Sequence, residues 1–283
     1  MEKLILITGI DNSIARQTCK KFLHEGYNII VTYDKNYTPN SKERVEFENQ
    51  IKDFAPVIFE EVDLRNKDSI NTLINKLKVY KLDVIVNCAS ILSFSDRDLR
   101  HEFIEFDYDN FTEVLQYNIT SIAAICIGLK DNINSGGSII NVTSSAAEEG
   151  GFATISYNAS KAAVKNLTKS LANNFGAYNV RVNSVAPGWI PASKEVVAKD
   201  IPALANTLTP ARENGSPENV TEAIFSLVNN SFVTGANLDV TGGITSSYWM
   251  YELESLQLQG KLSYEEIKPI IDFNMSMKNK LQK

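Results

Sequence analysis

LILITGIDNSIAR, residues 4–16, decides the fold of this 283-residue chain. An apolar run leads into a single glycine, and a segment with helical spacing follows. This order of strand, tight turn and helix is typical of a dinucleotide-binding unit, in which amides at the helix N-terminus bind a pyrophosphate. Such turns usually carry three glycines, whereas here Ser13 and Ala15 follow Gly9. We expect Gly9 to make the bend, and Ser13 to cap the helix and contact the pyrophosphate.

The same alternation of strand and helix continues along the chain. Apolar, β-branched runs with little polar alternation are typical of strands buried on both faces of a parallel sheet. The sequence therefore predicts an α/β fold, a single-domain doubly wound Rossmann-like sheet of seven parallel strands flanked by helices. The predicted strands cover about 3–8, 28–33, 57–62, 82–87, 137–143, 180–185 and 236–240, and the predicted helices about 14–25, 42–53, 67–79, 109–132, 155–175 and 217–229.

The domain organisation follows from where this alternation stops. We expect one domain over residues 1–243 and a C-terminal helical extension over residues 244–283, with two helical patterns and no strand. The extension is expected to pack on its own domain, and a subunit contact or a lid over the active-site cleft are the alternatives.

Composition excludes several classes of function. The chain is 43% apolar and 22% charged, which is ordinary for a globular protein, and its net charge of −6 argues against nucleic-acid binding through a basic surface. The apolar runs are too short to span a bilayer, and the start MEKLILITG does not resemble a secretion signal. We therefore expect a cytoplasmic protein with no membrane or nucleic-acid partner.

Cysteine and histidine usage narrows the chemistry. Cys19, Cys88 and Cys126 are far apart in the sequence and are interpreted as reduced core thiols. The chain has two histidines and no metal-ligand spacing, so no metal site is expected. Acid–base chemistry near neutral pH should therefore depend mainly on other groups.

Tyr157 and Lys161 are four residues apart in a predicted helix, so their side chains lie on one face. An ammonium near a phenol favours the phenolate and lowers the tyrosine's pKa from its usual value near 10. This pairing would make the tyrosine an acid–base group. The spacing alone is a weak signal, and other motifs give it weight.

Those motifs occur in a fixed order. Asn87-Cys-Ala-Ser90 ends a predicted strand, Asn118-Ile-Thr lies in a predicted helix, and Ser144 precedes Tyr157 by thirteen residues. Arg181-Val-Asn-Ser-Val-Ala-Pro-Gly188 and Thr241-Gly-Gly243 follow. Over about residues 3–243 the sequence resembles the short-chain dehydrogenase/reductase family, in the single-domain branch that includes the 3-oxoacyl-[acyl-carrier-protein] reductases.

The resemblance implies a role for each of four residues. Tyr157 would exchange a proton with the substrate oxygen while hydride moves to or from a nicotinamide. Lys161 would lower the tyrosine's pKa and bind the nicotinamide ribose. Ser144 would hold the substrate oxygen, and Asn118 would hold a water that links Lys161 to solvent.

The resemblance also implies NAD or NADP as cofactor. Asp34 lies near the end of the second strand, where an acid binds ribose hydroxyls and repels a 2′-phosphate, and Asn12 stands where many NADP enzymes have a base. The sequence therefore leans slightly toward NAD. The predicted cofactor-binding residues are Gly9, Asn12, Ser13, Ile14, Asp34, Asp63, Leu64, Asn87, Ala89, Ser90, Tyr157, Lys161, Pro187, Gly188 and Ile190.

Substrate and assembly are predicted only by class. A substrate flap is expected over about residues 189–212, and its apolar residues favour a mainly apolar or thioester-linked carbonyl compound, or the corresponding alcohol, over a bare dicarboxylate. The family usually assembles through the helices that contain Asn118 and Tyr157, so a homodimer or homotetramer is expected.

The leading hypothesis is thus an NAD(P)-dependent alcohol/carbonyl oxidoreductase. The modified glycine turn keeps open a cofactor-binding regulator or scaffold without turnover. An isomerase or dehydratase that retains its cofactor is a further alternative. An enoyl reductase is disfavoured, because those relatives separate tyrosine and lysine more widely.

Overall fold

The computed structural model describes residues 3–34, 42–51, 57–92, 106–148, 155–190, 209–211 and 213–246. Its strands are β1 (Leu4–Thr8), β2 (Asn28–Tyr33), β3 (Val57–Glu61), β4 (Leu82–Asn87), β5 (Ile133–Val142), β6 (Arg181–Pro187) and β7 (Asn237–Val240). Its α-helices are α1 (Ser13–His24), α2 (Lys42–Ile51), α3 (Lys67–Leu77), α4 (Tyr108–Leu115), α5 (Ser121–Gly128), α6 (Ile155–Phe175) and α7 (Pro217–Asn229). A π-helical turn (Gln116–Thr120) joins α4 to α5, and short 3-10 helices lie at Lys130–Asn132, Ser145–Ala147, Gly176–Tyr178 and Ile244–Ser246.

The seven strands form one parallel sheet in the order β3-β2-β1-β4-β5-β6-β7. The predicted fold class is therefore confirmed. The chain runs outward in one direction from β1 to β3 and in the other from β4 to β7. The crevice between the carboxyl ends of β1 and β4 is the point at which such sheets bind ligands.

Two apolar layers cover the sheet. On one face, α1, α2 and α7 pack against alternate strand residues such as Ile5, Ile29 and Val84. On the other face, α3, α5 and α6 pack against the intervening residues, such as Leu6 and Ile30. Strand residues are thus buried on both sides, which explains the lack of polar alternation in the sequence. All three cysteines are buried free thiols, as predicted.

The structure differs from the prediction at the start of β5 and within the helix predicted over 109–132. β5 begins at Ile133, earlier than predicted, because Ile133 pairs with Leu82 although the following Asn-Ser-Gly-Gly run has no apolar signal. The helix predicted over 109–132 is interrupted by the π-helical turn, which spacing could not indicate. The predicted C-terminal helices and most of the predicted flap lie outside the described residues. No helix in the described part of the chain is long and apolar enough to cross a membrane.

Arg181, at the start of β6, ties the sheet to the end of α7. Its Nη1 and Nη2 each donate at 2.6 Å, to the carbonyls of Leu227 and Val228, and Nη1 also reaches the Val233 carbonyl at 3.3 Å. These carbonyls belong to or follow the last turn of the helix, where they lack intrahelical partners and where a positive charge is favourable. Partial burial lowers the pKa of Arg181.

Replacing Arg181 with Met should destabilise the protein by about 2–3 kcal/mol, because charge-assisted bonds to buried carbonyls are lost. Urea unfolding followed by circular dichroism measures the change. Arg181→Lys keeps the charge but loses the planar fork, and it should recover less than half of the loss. A cost for Arg181→Met below about 0.5 kcal/mol would contradict this account.

Candidate active site

The turns after β1 and β4 touch at the centre of the carboxyl edge of the sheet. Gly9 has φ +80°, and a Cβ on it would lie 2.5 Å from the Cα of Ala89. A side chain is therefore excluded twice, by the dihedral angle and by the contact. The other predicted cofactor residues follow strands along the same edge: Asn12, Ser13 and Ile14 after β1, Asp34 after β2, Asp63 and Leu64 after β3, Asn87 and Ser90 at the end of β4, and Pro187, Gly188 and Ile190 at the end of β6.

The cap of α1 is Asn12, so the prediction that Ser13 caps this helix was wrong, while the predicted contact of Ser13 with a pyrophosphate stays a prediction. Asn12 has extended backbone dihedrals, and its Oδ1 accepts from the Ala15 amide at 2.8 Å. Its Nδ2 donates to the carbonyls of Gly9 and Cys88, both at 3.0 Å, which a serine hydroxyl could not do while capping the helix. Ser13 is the first helical residue, and its Oγ is buried with no partner among the described residues. The hydroxyl thus remains available to a ligand at the helix N-terminus.

Tyr157 lies half-buried in the first turn of α6. Burial raises the pKa of its phenol, and a hydrogen bond with Ser144 lowers it by less. Ser144 itself caps the 3-10 helix after β5, where its Oγ accepts from the Ala146 amide at 3.2 Å. Ser90 also lowers the pKa of Tyr157, although its buried Oγ makes no hydrogen bond of ordinary geometry with a described residue. Ser144 and Ser90 thus both lie beside the phenol.

Lys161 is only 1% exposed, one helical turn after Tyr157. Its Nζ donates to the Val142 carbonyl at 2.9 Å and lies 5.5 Å from the centroid of the Tyr157 ring. Burial lowers the pKa of Lys161 from 10.5 to about 8. We expected Lys161 to lower the pKa of Tyr157, but in the protein by itself that pKa is raised. The ammonium is bonded to a main-chain carbonyl and faces the ring, so burial of the phenol is the larger effect.

Asn118 is fully buried in the π-helical turn between α4 and α5. Its Oδ1 accepts from the Ile91 amide at 2.8 Å, and its Nδ2 donates to the Ile91 carbonyl at 2.9 Å and to Ser160 Oγ at 3.0 Å. Ser160 in turn donates to the Tyr157 carbonyl at 2.7 Å. Asn118 thereby joins the loop after β4 to the first turn of α6. Sequence reasoning missed Ser160, although it shares the helix face of Tyr157 and Lys161.

Asn87 and Gly188, two other predicted cofactor-binding residues, also make contacts that hold neighbouring strands together. Asn87 Nδ2 donates to Asn141 Oδ1 at 2.8 Å, inside the sheet. A Cβ on Gly188 would lie 2.7 Å from the Cα of Thr241, so this glycine lets the end of β6 pass close to the end of β7. Among the described residues, no group of three or more histidine, cysteine or acidic side chains could hold a metal ion.

Comparison with known proteins identifies the family. The family model described as Enoyl-(Acyl carrier protein) reductase matches residues 9–245. The chain belongs to the short-chain dehydrogenase/reductase family. Protein FixR of Bradyrhizobium diazoefficiens is 30% identical to it, over 85% of this chain and 86% of that protein. Acetoacetyl-CoA reductase of Acinetobacter sp. is 28% identical, over 86% of this chain and 98% of that protein.

A solved structure agrees with this assignment. The structure described as ElxO with NADP bound has a TM-score of 0.73 and 27% identity, and the match covers 87% of this chain and 100% of that one. The predicted family and the predicted enzyme class are therefore confirmed.

One feature of this short-chain dehydrogenase/reductase was missed by sequence reasoning. Arg65 directly follows Asp63-Leu64 and contacts three acids. Its Nε lies 2.8 Å from Asp63 Oδ1. Its Nη1 lies 3.4 Å from Glu113 Oε1, and its Nη2 lies 3.4 Å from Asp34 Oδ2. It joins the ends of β2 and β3 to α4. No motif marks Arg65, because its three partners are distant from one another in the sequence.

The buried charge of Lys161 should make stability depend on pH. Its pKa is lower in the folded than in the unfolded state, so the unfolded state binds more protons between those two values and stability rises with pH there. Between about pH 7 and about pH 9.5 the wild type should gain about 2 kcal/mol of unfolding free energy relative to Lys161→Met. Urea unfolding across this range measures the difference.

Lys169→Met is the control, since it removes an exposed lysine from the same helix. Its stability difference from the wild type should stay nearly constant over the same range. A constant difference for Lys161→Met as well would show that Lys161 is not held at a lowered pKa.

Proposed function

We propose that the protein is an NAD(P)-dependent oxidoreductase that interconverts an alcohol and a carbonyl compound, with Tyr157 as the acid–base group. The observation that carries this is the Tyr157 phenol, whose pKa the neighbouring Ser144 lowers and which lies one helical turn from the buried ammonium of Lys161. The three side chains lie at the carboxyl edge of the sheet, where ligands of this fold bind.

The cofactor fits the residues present. The glycine turn leaves no side chain at Gly9, the first amides of α1 lie behind it, and the buried Ser13 Oγ lacks a partner among the described residues. These features suit a pyrophosphate, which accepts hydrogen bonds and is stabilised by the positive end of a helix. Asp34, Asp63 and Leu64 would bind the adenosine, and Lys161, Pro187, Gly188 and Ile190 the nicotinamide half.

Tyr157 is suited to donate a proton. Because burial raises its pKa, the phenol is protonated near neutral pH and can give its proton to the carbonyl oxygen of a substrate. In the reverse direction the same oxygen accepts the proton of an alcohol. NAD(P) supplies or accepts the hydride at the carbon. Ser144 donates to the substrate oxygen and stabilises the charge that develops there.

Lys161 and Asn118 support the tyrosine. A charged Lys161 keeps a positive group 5.5 Å from the ring centroid, which favours the phenolate left after proton donation. Asn118 fixes the loop after β4 and, through Ser160, the first turn of α6. The predicted water relay would add to this positioning role.

The chemical class of the substrate follows from spacing and similarity. The four-residue interval between Tyr157 and Lys161 favours an alcohol or carbonyl substrate over an enoyl double bond, as the family resemblance implies. The relative named acetoacetyl-CoA reductase supports a thioester-linked carbonyl as one candidate. The expected flap, about 189–212, would close over this substrate. The structure describes residues 189–190 and 209–211 of this segment.

Replacing Tyr157 with Phe should reduce kcat by about 10²–10⁴-fold, because the proton donor is lost. Binding of NAD or NADP, measured by calorimetry, should change by less than about threefold, or roughly 0.7 kcal/mol. A panel of ketones and alcohols with both cofactors provides the assay. Tyr178→Phe is the matched control, since Tyr178 is 43% exposed and distant in sequence from Ser144 and Lys161.

Undiminished turnover in Tyr157→Phe would exclude this role. A wild-type protein that retains stoichiometric cofactor without changing its redox state would instead favour the isomerase or dehydratase. Failure to bind either cofactor would favour the regulator or scaffold.

We also propose that the protein assembles as a homodimer or homotetramer through the helices that carry Asn118 and Tyr157. Ile127 on α5 and Ile155 on α6 are each 55% exposed, and a second copy of the chain would cover them. No other class of partner is needed to explain this surface.

Light scattering should give a dimer or tetramer for the wild type, and Ile127→Asp should shift it to a smaller species, because a buried unpaired charge is costly at an interface. Val79→Asp is the control, since Val79 is 80% exposed two residues after the end of α3, outside both helices. A monomeric wild type would contradict the proposal.

A further inference from the structure

The backbone at Ser90 is fixed by the residues on both sides of it. On one side, the Ala89 amide donates to Thr8 Oγ1 at 3.1 Å, and the Cα of Ala89 packs against Gly9. On the other side, Ile91 is bonded at its amide and at its carbonyl by Asn118. Ser90 is therefore held in one place at the end of β4.

The hydroxyl of Ser90 is enclosed without an ordinary hydrogen bond. Its Oγ is buried and has no partner of normal geometry among the described residues. A buried hydroxyl in this state costs free energy, so its presence calls for an explanation. The polar group beside it is the phenol of Tyr157, whose pKa Ser90 lowers.

A second set of contacts holds Ser90 and Tyr157 together. Asn118, which bonds to Ile91, also donates to Ser160 Oγ at 3.0 Å, and Ser160 donates to the Tyr157 carbonyl at 2.7 Å. Two side chains thus bridge the residue after Ser90 to the backbone of Tyr157. The neighbouring positions of the Ser90 hydroxyl and the phenol are a product of this bridge.

The phenol is faced by one charged group and two hydroxyls among the described residues. The Lys161 ammonium lies 5.5 Å from the ring centroid and donates to the Val142 carbonyl. Burial raises the pKa of Tyr157, and the hydroxyls of Ser144 and then Ser90 lower it. The phenolate oxygen therefore depends on hydroxyl donors as well as on the ammonium.

Ser144 cannot serve two oxygens at once. A serine hydroxyl has a single proton to donate. In the proposed reaction Ser144 gives that hydrogen bond to the substrate oxygen, so it cannot donate to the phenolate at the same moment. Ser90 is the other hydroxyl beside Tyr157, and its Oγ has no competing bond of ordinary geometry with a described residue.

We propose that Ser90 is a positioning residue whose O–H donates to the phenolate oxygen of Tyr157 while Ser144 donates to the substrate oxygen. The proton that reaches the carbonyl oxygen comes from Tyr157, and Ser90 keeps its own. Hydrogen bonds of this kind often become short only when charge develops on the acceptor. This inference rests on the proposed function and assigns the stabilisation of its phenolate to a further residue.

The direct test measures how readily Tyr157 ionises, which requires neither substrate nor cofactor. Each protein is compared with its own Tyr157→Phe counterpart by ultraviolet difference spectroscopy, at an alkaline pH at which circular dichroism shows a folded protein. The difference gives the tyrosinate at position 157. Ser90→Ala should reduce this tyrosinate by about threefold or more, because a donor to the phenolate is lost. Ser90→Gly also removes the hydroxyl and should give the same reduction.

Ser138→Ala is the matched control. Ser138 is 1% exposed, and its Oγ also lacks a partner among the described residues. It pairs with Arg181 at the start of β6, towards the amino edge of the sheet and away from Tyr157. Removing this hydroxyl should leave the ionisation of Tyr157 unchanged.

The same loss should appear in turnover as a shift along the pH axis. In alcohol oxidation the phenolate accepts the proton, so kcat/KM rises with pH until Tyr157 is ionised. In Ser90→Ala the pH at which kcat/KM levels off should rise by about 0.5–1 pH unit. Ser138→Ala should keep the wild-type profile.

The outcomes separate this inference from the function beneath it. Wild-type ionisation of Tyr157 in Ser90→Ala, or an equal reduction in Ser138→Ala, would overturn the role of Ser90 and leave the proposed function standing. A wild type without turnover on any ketone or alcohol would overturn the proposed function and the role of Ser90 in it. A reduced tyrosinate in Ser90→Ala would even then establish the contact between Ser90 and the phenol.

Discussion

The site depends on one close contact, the approach of Gly9 to Ala89 between the ends of β1 and β4. A Cβ at position 9 would lie 2.5 Å from a backbone carbon, so the two turns can meet only around a glycine. The contact fixes the loop after β4, whose Ile91 is bonded at both its amide and its carbonyl by Asn118. From Asn118 the hydrogen bonds continue to the first turn of α6, which carries Tyr157. The glycine turn and Tyr157 are thus held by one continuous set of contacts.

The same construction sets the electrostatics of the site. Enclosing Tyr157 and Lys161 disfavours the charged form of each, which raises the pKa of the phenol and lowers that of the ammonium. A buried lysine costs stability when it is charged, and the fold tolerates this cost one helical turn from Tyr157. The Ser144 and Ser90 hydroxyls oppose the effect of burial on the phenol, so the pKa of Tyr157 reflects burial in one direction and two neighbouring hydroxyls in the other.

Much of the fold was predictable because the strands are buried on both faces. Their apolar runs mark all seven strands, and the order of motifs indicated the family before any geometry was known. The prediction of the helix cap failed because one side chain makes hydrogen bonds to two separate segments. Asn12 caps α1 and also bonds to the end of β4, which no local pattern indicates. The direction of the Tyr157 pKa was also missed, because spacing along a helix does not reveal where the Lys161 ammonium points.

The sequence by itself determined the sheet and the glycine turn, since periodicity and spacing are properties of the chain, and its resemblance to the family implied the four predicted site residues. Only the tertiary structure decided how those residues are connected. The π-helical turn, the bridge through Ser160 and the three acids around Arg65 join segments that are far apart in sequence. Hydrogen bonds and ion pairs depend on distances of a few ångströms between side chains, and these distances exist only after the strands and helices have packed.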